Sequence, residues 1–285
     1  MESTPRILTL AALALLAALL PNGLQASADP DEVLRLVRDD QGRPAALEVA
    51  VVTLEAPGGA RVDLVGAVHV GEPDYFDALN DRFGRYDSVL YELVVDDPDA
   101  RPARGSGGGG LVSLLQGGMT EALGLEYQLD GIDYDREHFV HADLTAGEFA
   151  ASMDERGESM IGMMVELWAS ALAAQQRGEL ALPETTILHV LFSDDRQLAL
   201  RRMFAEQLVD QSVLMEALDD EDGSTLITAR NPRAVDVLVE RLAAGDRDVA
   251  IFYGAGHLPD LEQRLVEDRG MQRADVDWLE AWRLR

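Results

Sequence analysis

The chain has 285 residues, a formal net charge of -28, no cysteine, and arginine as its only basic residue besides histidine. Without cysteine there are no disulfides, thiol nucleophiles or Cys-ligated metal centres, and without lysine there is no Schiff-base chemistry and no P-loop. The acidic balance repels phosphate backbones and anionic lipid, which argues against nucleic-acid partners.

Arg6 precedes an apolar run from Ile7 to Leu20, then Pro21, then Ala26-Ser27-Ala28 ahead of Asp29. This is the pattern of a signal peptide over residues 1–28. The run is shorter than the roughly 20 residues of a membrane span. The expectation is an exported protein, periplasmic or secreted, with no stable membrane insertion after signal cleavage; an uncleaved anchor is the alternative. Residues 29–285 suit a single α/β domain with a mostly parallel central sheet, an N-terminal β-hairpin and a helical insertion at about 105–220.

The hairpin is read from the valine-rich run Leu47–Glu55, the turn Pro57-Gly58-Gly59 and the strand from Arg61 to Val70. Glu72-Pro73-Asp74 opens a helix with Tyr75, Phe76, Leu79 and Phe83 on one face. The run Ser88–Glu92 is the next strand. A β-α-β unit of this length predicts parallel neighbouring strands, with His69 and Glu92 leaving the same edge of the sheet. From Asp96 to Gly118 the chain is rich in proline and glycine and reads as a loop. Residues 111–218 are mostly helical by pattern, interrupted by a short strand within Glu137–Asp143, with Thr145 capping the next helix. Asp219–Gly223 reads as a solvated acidic turn, and His189 and Met160, Met163 and Met164 read as core. A helix over about Ser224–Ala244, the strand Val249–Tyr253, a helix over Leu258–Asp268 and a last strand within Val276–Leu284 complete the chain.

Two strands end in Gly-x-x-His: Gly66-Ala67-Val68-His69 and Gly254-Ala255-Gly256-His257. In an open α/β sheet, ligands bind beyond the carboxyl ends of the strands. Glycine there would permit a sharp turn that aims the imidazole into the crevice. Neutral imidazoles suit Mn²⁺, Co²⁺ or Zn²⁺, and a carboxylate makes a three-ligand open site, so His69, Glu92 and His257 are the candidate metal ligands. The alternative is histidines packed at the sheet end against backbone carbonyls. Glu92 is either a ligand or a base that takes a proton from water. Arg230 either clamps a substrate carboxylate or oxyanion, or pairs with one of the many acids. His141 and Asp143 either support the site or are structural, Asp143 as a helix cap. If the site is shared, the three metal candidates converge within about 8 Å.

The strand-Gly-x-x-His units, the intervening Glu92 and the Arg230-Asn231 pair at a helix start resemble the TraB/GumN/TIKI superfamily over residues 60–95 and 225–268. That resemblance implies a metal-dependent, peptidase-like hydrolase favouring Mn²⁺ or Co²⁺, acting on a peptide or small-molecule substrate. It equally implies a non-catalytic protein that captures a peptide or ligand in the same crevice, and, from more remote relatives, haem or iron binding.

Overall fold

The computed structural model describes residues 32–97, 101–102, 120–157, 193, 195–218 and 227–285. Residues 1–28, read from the sequence as a signal peptide, the Gly107–Gly110 run, Met160–Met164, His189 and Asp219–Gly223 lie outside them.

Strands β1 (Leu34–Arg38), β2 (Pro44–Glu55), β3 (Arg61–Ala67), β5 (Ser88–Tyr91), β7 (Phe139–His141), β8 (Asp248–Gly254) and β9 (Gln272–Arg283) form one sheet. Its path runs β1-β2-β3-β8-β5-β7, with β9 on β2. The strands β3, β8, β5 and β7 are mutually parallel, and β1, β2 and β9 are joined antiparallel. The chain is thus an α/β protein with a mostly parallel centre and an N-terminal hairpin, as expected. Strand β9 covers Ala46–Glu55 on one edge of β2, so β1 and β3 lie end to end along the other. A two-stranded sheet pairs β4 (Val70–Gly71) with β6 (Glu126–Tyr127).

One expectation about the sheet is corrected. Strands β3 and β5 are parallel but are not neighbours, because β8 lies between them and pairs with both. The physical reason is burial. In β8, Val249 to Gly254 are all buried, a run without polar alternation that suits a central parallel strand covered on both faces.

Helices supply that cover. Helix α1 (Pro73–Phe83) buries Tyr75, Phe76, Leu79 and Phe83, the predicted face, and Phe83 packs on Phe252 of β8 at 4.9 Å between ring centroids. A short α2 (Gln128–Gly131) comes directly after β6, and α3 (Ala146–Arg156) opens with a capping box between Thr145 and Glu148. Then come α4 (Arg196–Leu218), α5 (Asn231–Ala244) and α6 (Leu258–Glu267). Helix α6 packs Leu258 toward Gly66 of β3. Val65 is the cross-strand partner of Phe252, so Gly66 faces the other side. Helices α1 and α6 therefore cover opposite faces of the sheet. A Cβ on Gly66 would stand 2.7 Å from Val49 Cγ2 and 3.1 Å from the Ala50 carbonyl, so this glycine serves close packing. Its φ is not positive, nor is that of Gly254 or Gly256, so none of the three adopts the left-handed backbone that only glycine takes freely. At Gly66 it is space, not conformation, that calls for glycine.

Among the described residues no helix is long and apolar enough to cross a membrane.

Candidate functional site

The register of the central strands brings the candidates together. Ala67 pairs with Gly254, so β3 and β8 end level; Tyr91 pairs with Phe252, two residues short of that end, and Glu92 donates its backbone N–H to the Phe252 carbonyl. His69 lies just past the end of β3. His257 ends the 3-10 turn Ala255–His257 that leads into α6.

Gly254 marks the centre. A Cβ built on it would lie 3.4 Å from Glu92 Oε2, 3.7 Å from His69 Nε2 and 3.7 Å from His257 Cδ2, the ring carbon beside Nε2. All three side chains therefore have an atom within 3.7 Å of one point. No two of these atoms are farther apart than twice that distance, with His257 represented by Cδ2 rather than by its donor nitrogen. His257 Nε2 stands 3.6 Å from Glu92 Oε1, beyond a hydrogen bond.

Each imidazole is fixed through its other nitrogen. His69 Nδ1 lies 2.9 Å from Gln128 Oε1, and the Gln128 amide nitrogen donates to the Tyr134 hydroxyl at 2.8 Å. His257 Nδ1 lies 2.7 Å from Asn231 Oδ1. Asn231 Nδ2 donates to Asp260 Oδ2 at 2.7 Å and to the His257 carbonyl at 3.3 Å. In both amides the oxygen faces the ring and the NH₂ end donates elsewhere, to a carboxylate and a carbonyl for Asn231 and to a hydroxyl for Gln128, so the ring donates from Nδ1. The lone pair is then on Nε2 in both histidines. Anchoring the non-ligating nitrogen in this way orients metal-binding histidines in general.

Glu92 is held ionised. Its Oε1 accepts from Arg230 Nη2 at 2.8 Å and its Oε2 from the Gly254 N–H at 2.6 Å. Burial alone would raise its carboxyl, but the facing His257, Arg230 and His69, with the Gly254 N–H, hold it down at about 2. Burial pushes the His257 imidazole below its ordinary value, against the pull of Glu92, so it is neutral near pH 7. Tyr253 donates its hydroxyl to the Ala142 carbonyl and packs edge-on against His257, with ring centroids 5.2 Å apart. Burial, with Asp143 and Glu92 nearby, raises its phenol well above the ordinary value, which leaves it a neutral donor.

Arg230, the residue before α5, is buried. Its Nε donates to Asp143 Oδ1 at 3.0 Å and its Nη2 to Asp143 Oδ2 and to Glu92. Of the two readings of Arg230, pairing with an acid is the one the geometry supplies, and the acid is Asp143, whose side chain is fully buried. Burial works against the guanidinium charge, but Asp143 and Glu92 outweigh it and raise its pKa. Asp143 is not the helix cap; the Thr145 hydroxyl accepts from the Glu148 N–H at 3.2 Å. His141 stands outside the cluster, with Nε2 donating to the Leu93 carbonyl at 2.6 Å, and His138 Nε2 donates to the Phe83 carbonyl at 3.0 Å.

Among the described residues no three His, Asp or Glu side chains are closed around a point that an ion would take. The donor set nevertheless fits one. Two imidazoles present Nε2 lone pairs, an ionised carboxylate faces them, and each carboxylate oxygen has capacity beyond the bond it already accepts. The bare Cα of Gly254 leaves the common point open.

Gln128, Tyr134 and Asp260 carried no sequence signal for the site. Gln128 is 59 positions from His69 and reaches it only because β6 pairs with β4. Compared with protein-family models, curated proteins and solved structures, the chain matches none.

Proposed function

We propose that this is an exported, metal-dependent hydrolase acting on a peptide or amide bond, with His69, Glu92 and His257 holding a divalent ion such as Mn²⁺, Co²⁺ or Zn²⁺. The observation that carries the reading is the matched pair of histidines. Each is anchored at Nδ1 by an amide oxygen, and both are gathered with one ionised carboxylate around Gly254. The motif resemblance to the TraB/GumN/TIKI superfamily points the same way. An ion bound there would polarise a carbonyl and lower the pKa of water.

The chain's own residues have distinct tasks in this reading. His69 and His257 offer Nε2. Glu92 is bonded at both oxygens in ways that favour its ionised form, which suits a ligand better than a base. Arg230 acts through Glu92, setting its orientation and balancing its charge, while Asp143 fixes the guanidinium in turn. The alternative reading is capture of a peptide or small ligand in the same crevice without turnover.

The test is metal stoichiometry, peptide hydrolysis and thermal unfolding of the parent beside His69→Ala and His257→Ala. The expected result is one ion in the parent and loss of both ion and turnover in the variants. A parent that takes up no ion at saturating Mn²⁺, Co²⁺ or Zn²⁺ while binding peptide tightly would replace the hydrolase with the capture protein.

A further inference from the structure

Gln128 is tied to His69 twice. Its backbone N–H donates to the His69 carbonyl at 2.8 Å, and its side-chain oxygen accepts from Nδ1 of the same residue. It is 6 % exposed. The residues before it form β6, which pairs with β4 through Val70–Tyr127 and Gly71–Glu126. Strand β4 is pinned in turn by the Trp282 indole N–H, which donates to the Val70 carbonyl at 2.5 Å. The Nε2 end of the same amide donates to the Tyr134 hydroxyl at 2.8 Å, so both ends of the buried side chain are engaged.

Resting on the reading of the site as an ion centre, we infer that Gln128 is a positioning residue: it holds His69 in the Nδ1–H tautomer, so that Nε2 faces the site as a lone pair. Asn231 does the same for His257 from a different element, α5, with Asp260 in the place of Tyr134. Two unrelated segments thus impose one tautomer on two histidines. That coincidence is explained if both rings must present the same nitrogen to one ligand. When the acceptor is removed, nothing keeps the proton on Nδ1, and a form with Nε2–H, which has no lone pair to offer, becomes populated. Ring orientation is lost with it. Loss of such an anchor typically lowers metal affinity about 10- to 100-fold.

The experiment uses the full chain, labelled with ¹⁵N-histidine and free of metal, at a pH above the imidazole range; His69→Ala assigns the His69 signals. The expected spectrum has Nε2 of His69 unprotonated in the parent, a mixture or reversal in Gln128→Leu, and recovery in Gln128→Glu, whose carboxylate also accepts from Nδ1. Mn²⁺ titration of the same proteins should give a loss of about 10- to 100-fold for Gln128→Leu, with Gln128→Glu near the parent. Tyr134→Phe, which removes the partner of the Gln128 Nε2 and loosens the side chain, should fall between them. If Gln128→Leu does not fold, Gln128→Glu and Tyr134→Phe carry the test by the same readouts. An unchanged His69 tautomer and unchanged Mn²⁺ affinity in the folded variants overturn the inference. A tautomer that switches as expected in a parent that binds no Mn²⁺, Co²⁺ or Zn²⁺ leaves the positioning role standing and removes the ion-centre reading.

Discussion

Gly254→Ala separates occupancy of the site from integrity of the fold. Gly254 has φ -48° and ψ 139°, a conformation open to alanine. The added methyl would have its nearest neighbours at 3.4 and 3.7 Å, ordinary van der Waals contacts, so the strand need not move. The stability terms are small. Fewer unfolded conformations stabilise by about 0.4–1 kcal/mol, a buried methyl adds up to about 0.8 kcal/mol, and partial desolvation of Glu92 opposes both. The net change should stay within about 1 kcal/mol. The effect on an ion is of another order, because the methyl fills the point that Glu92, His69 and His257 share. Ligand bonds of about 2.0–2.2 Å to those donors need that space. Mn²⁺ affinity should fall by more than about 100-fold, beyond what loss of a supporting hydrogen bond does. Gly256→Ala is the control. It lies in the same motif, but its Cβ would meet only Ile227 Cδ1, at 3.9 Å, so its affinity should match the parent. Calorimetric titration with Mn²⁺ beside thermal melts reads both quantities. Parent-like affinity in Gly254→Ala, with a parent-like melt, would refute the placement of the ion.

Arg230→Met leaves the fully buried Asp143 carboxylate without its bidentate partner and should destabilise by about 3–5 kcal/mol; a denaturant melt checks it, and the Arg230→Met, Asp143→Leu double variant should recover most of the loss. Thr145→Ala removes the cap of α3 and should destabilise by about 1 kcal/mol, with a change under a few tenths counting against the cap. The Thr145 N–H and hydroxyl, with weaker help from Arg233 and His141, hold the Glu148 carboxyl below its ordinary value. Its contribution is therefore complete above the ordinary carboxylate value and is lost as pH falls through the lowered one. The melting difference between the parent and Glu148→Gln should shrink on acidification, and a difference that grows would reverse the sign argued. With a net charge of -28, raising NaCl from about 0.01 M to about 1 M shortens screening from about 30 to 3 Å and should raise the melting temperature; a fall would mean that ion pairs outweigh self-repulsion.

Local patterns made part of the fold legible in the sequence. The buried runs of β3, β5 and β8, the apolar face of α1 and the Thr145 cap all appear where periodicity and capping chemistry placed them. Convergence of His69, Glu92 and His257 was legible too, since parallel strands deliver the residues beyond their carboxyl ends to one edge. The order of the strands was not: nothing local says that β8 inserts between β3 and β5. Strand β1 and the full length of β9 were missed because their residues alternate poorly and are only half buried. The partners of the site side chains were the least legible. Asp143 looked like a cap because it precedes a helix, and its pairing with Arg230 spans 87 positions. Gln128 is an ordinary glutamine until the pairing of β6 with β4 sets it beside His69.

The insertion of β8 between β3 and β5 also governs when the site can exist. Both older strands present an open inner edge until residues 248–254 arrive, and β9, which seals β2, is made later still. Pairings of such long sequence separation form slowly, and unpaired edges invite association with other chains while they wait. The same strand carries Gly254, whose N–H holds Glu92, and delivers His257. Closure of the sheet and assembly of the three-residue cluster are therefore a single event. A nascent or partly folded chain has neither, so the cluster exists only once the sheet is complete.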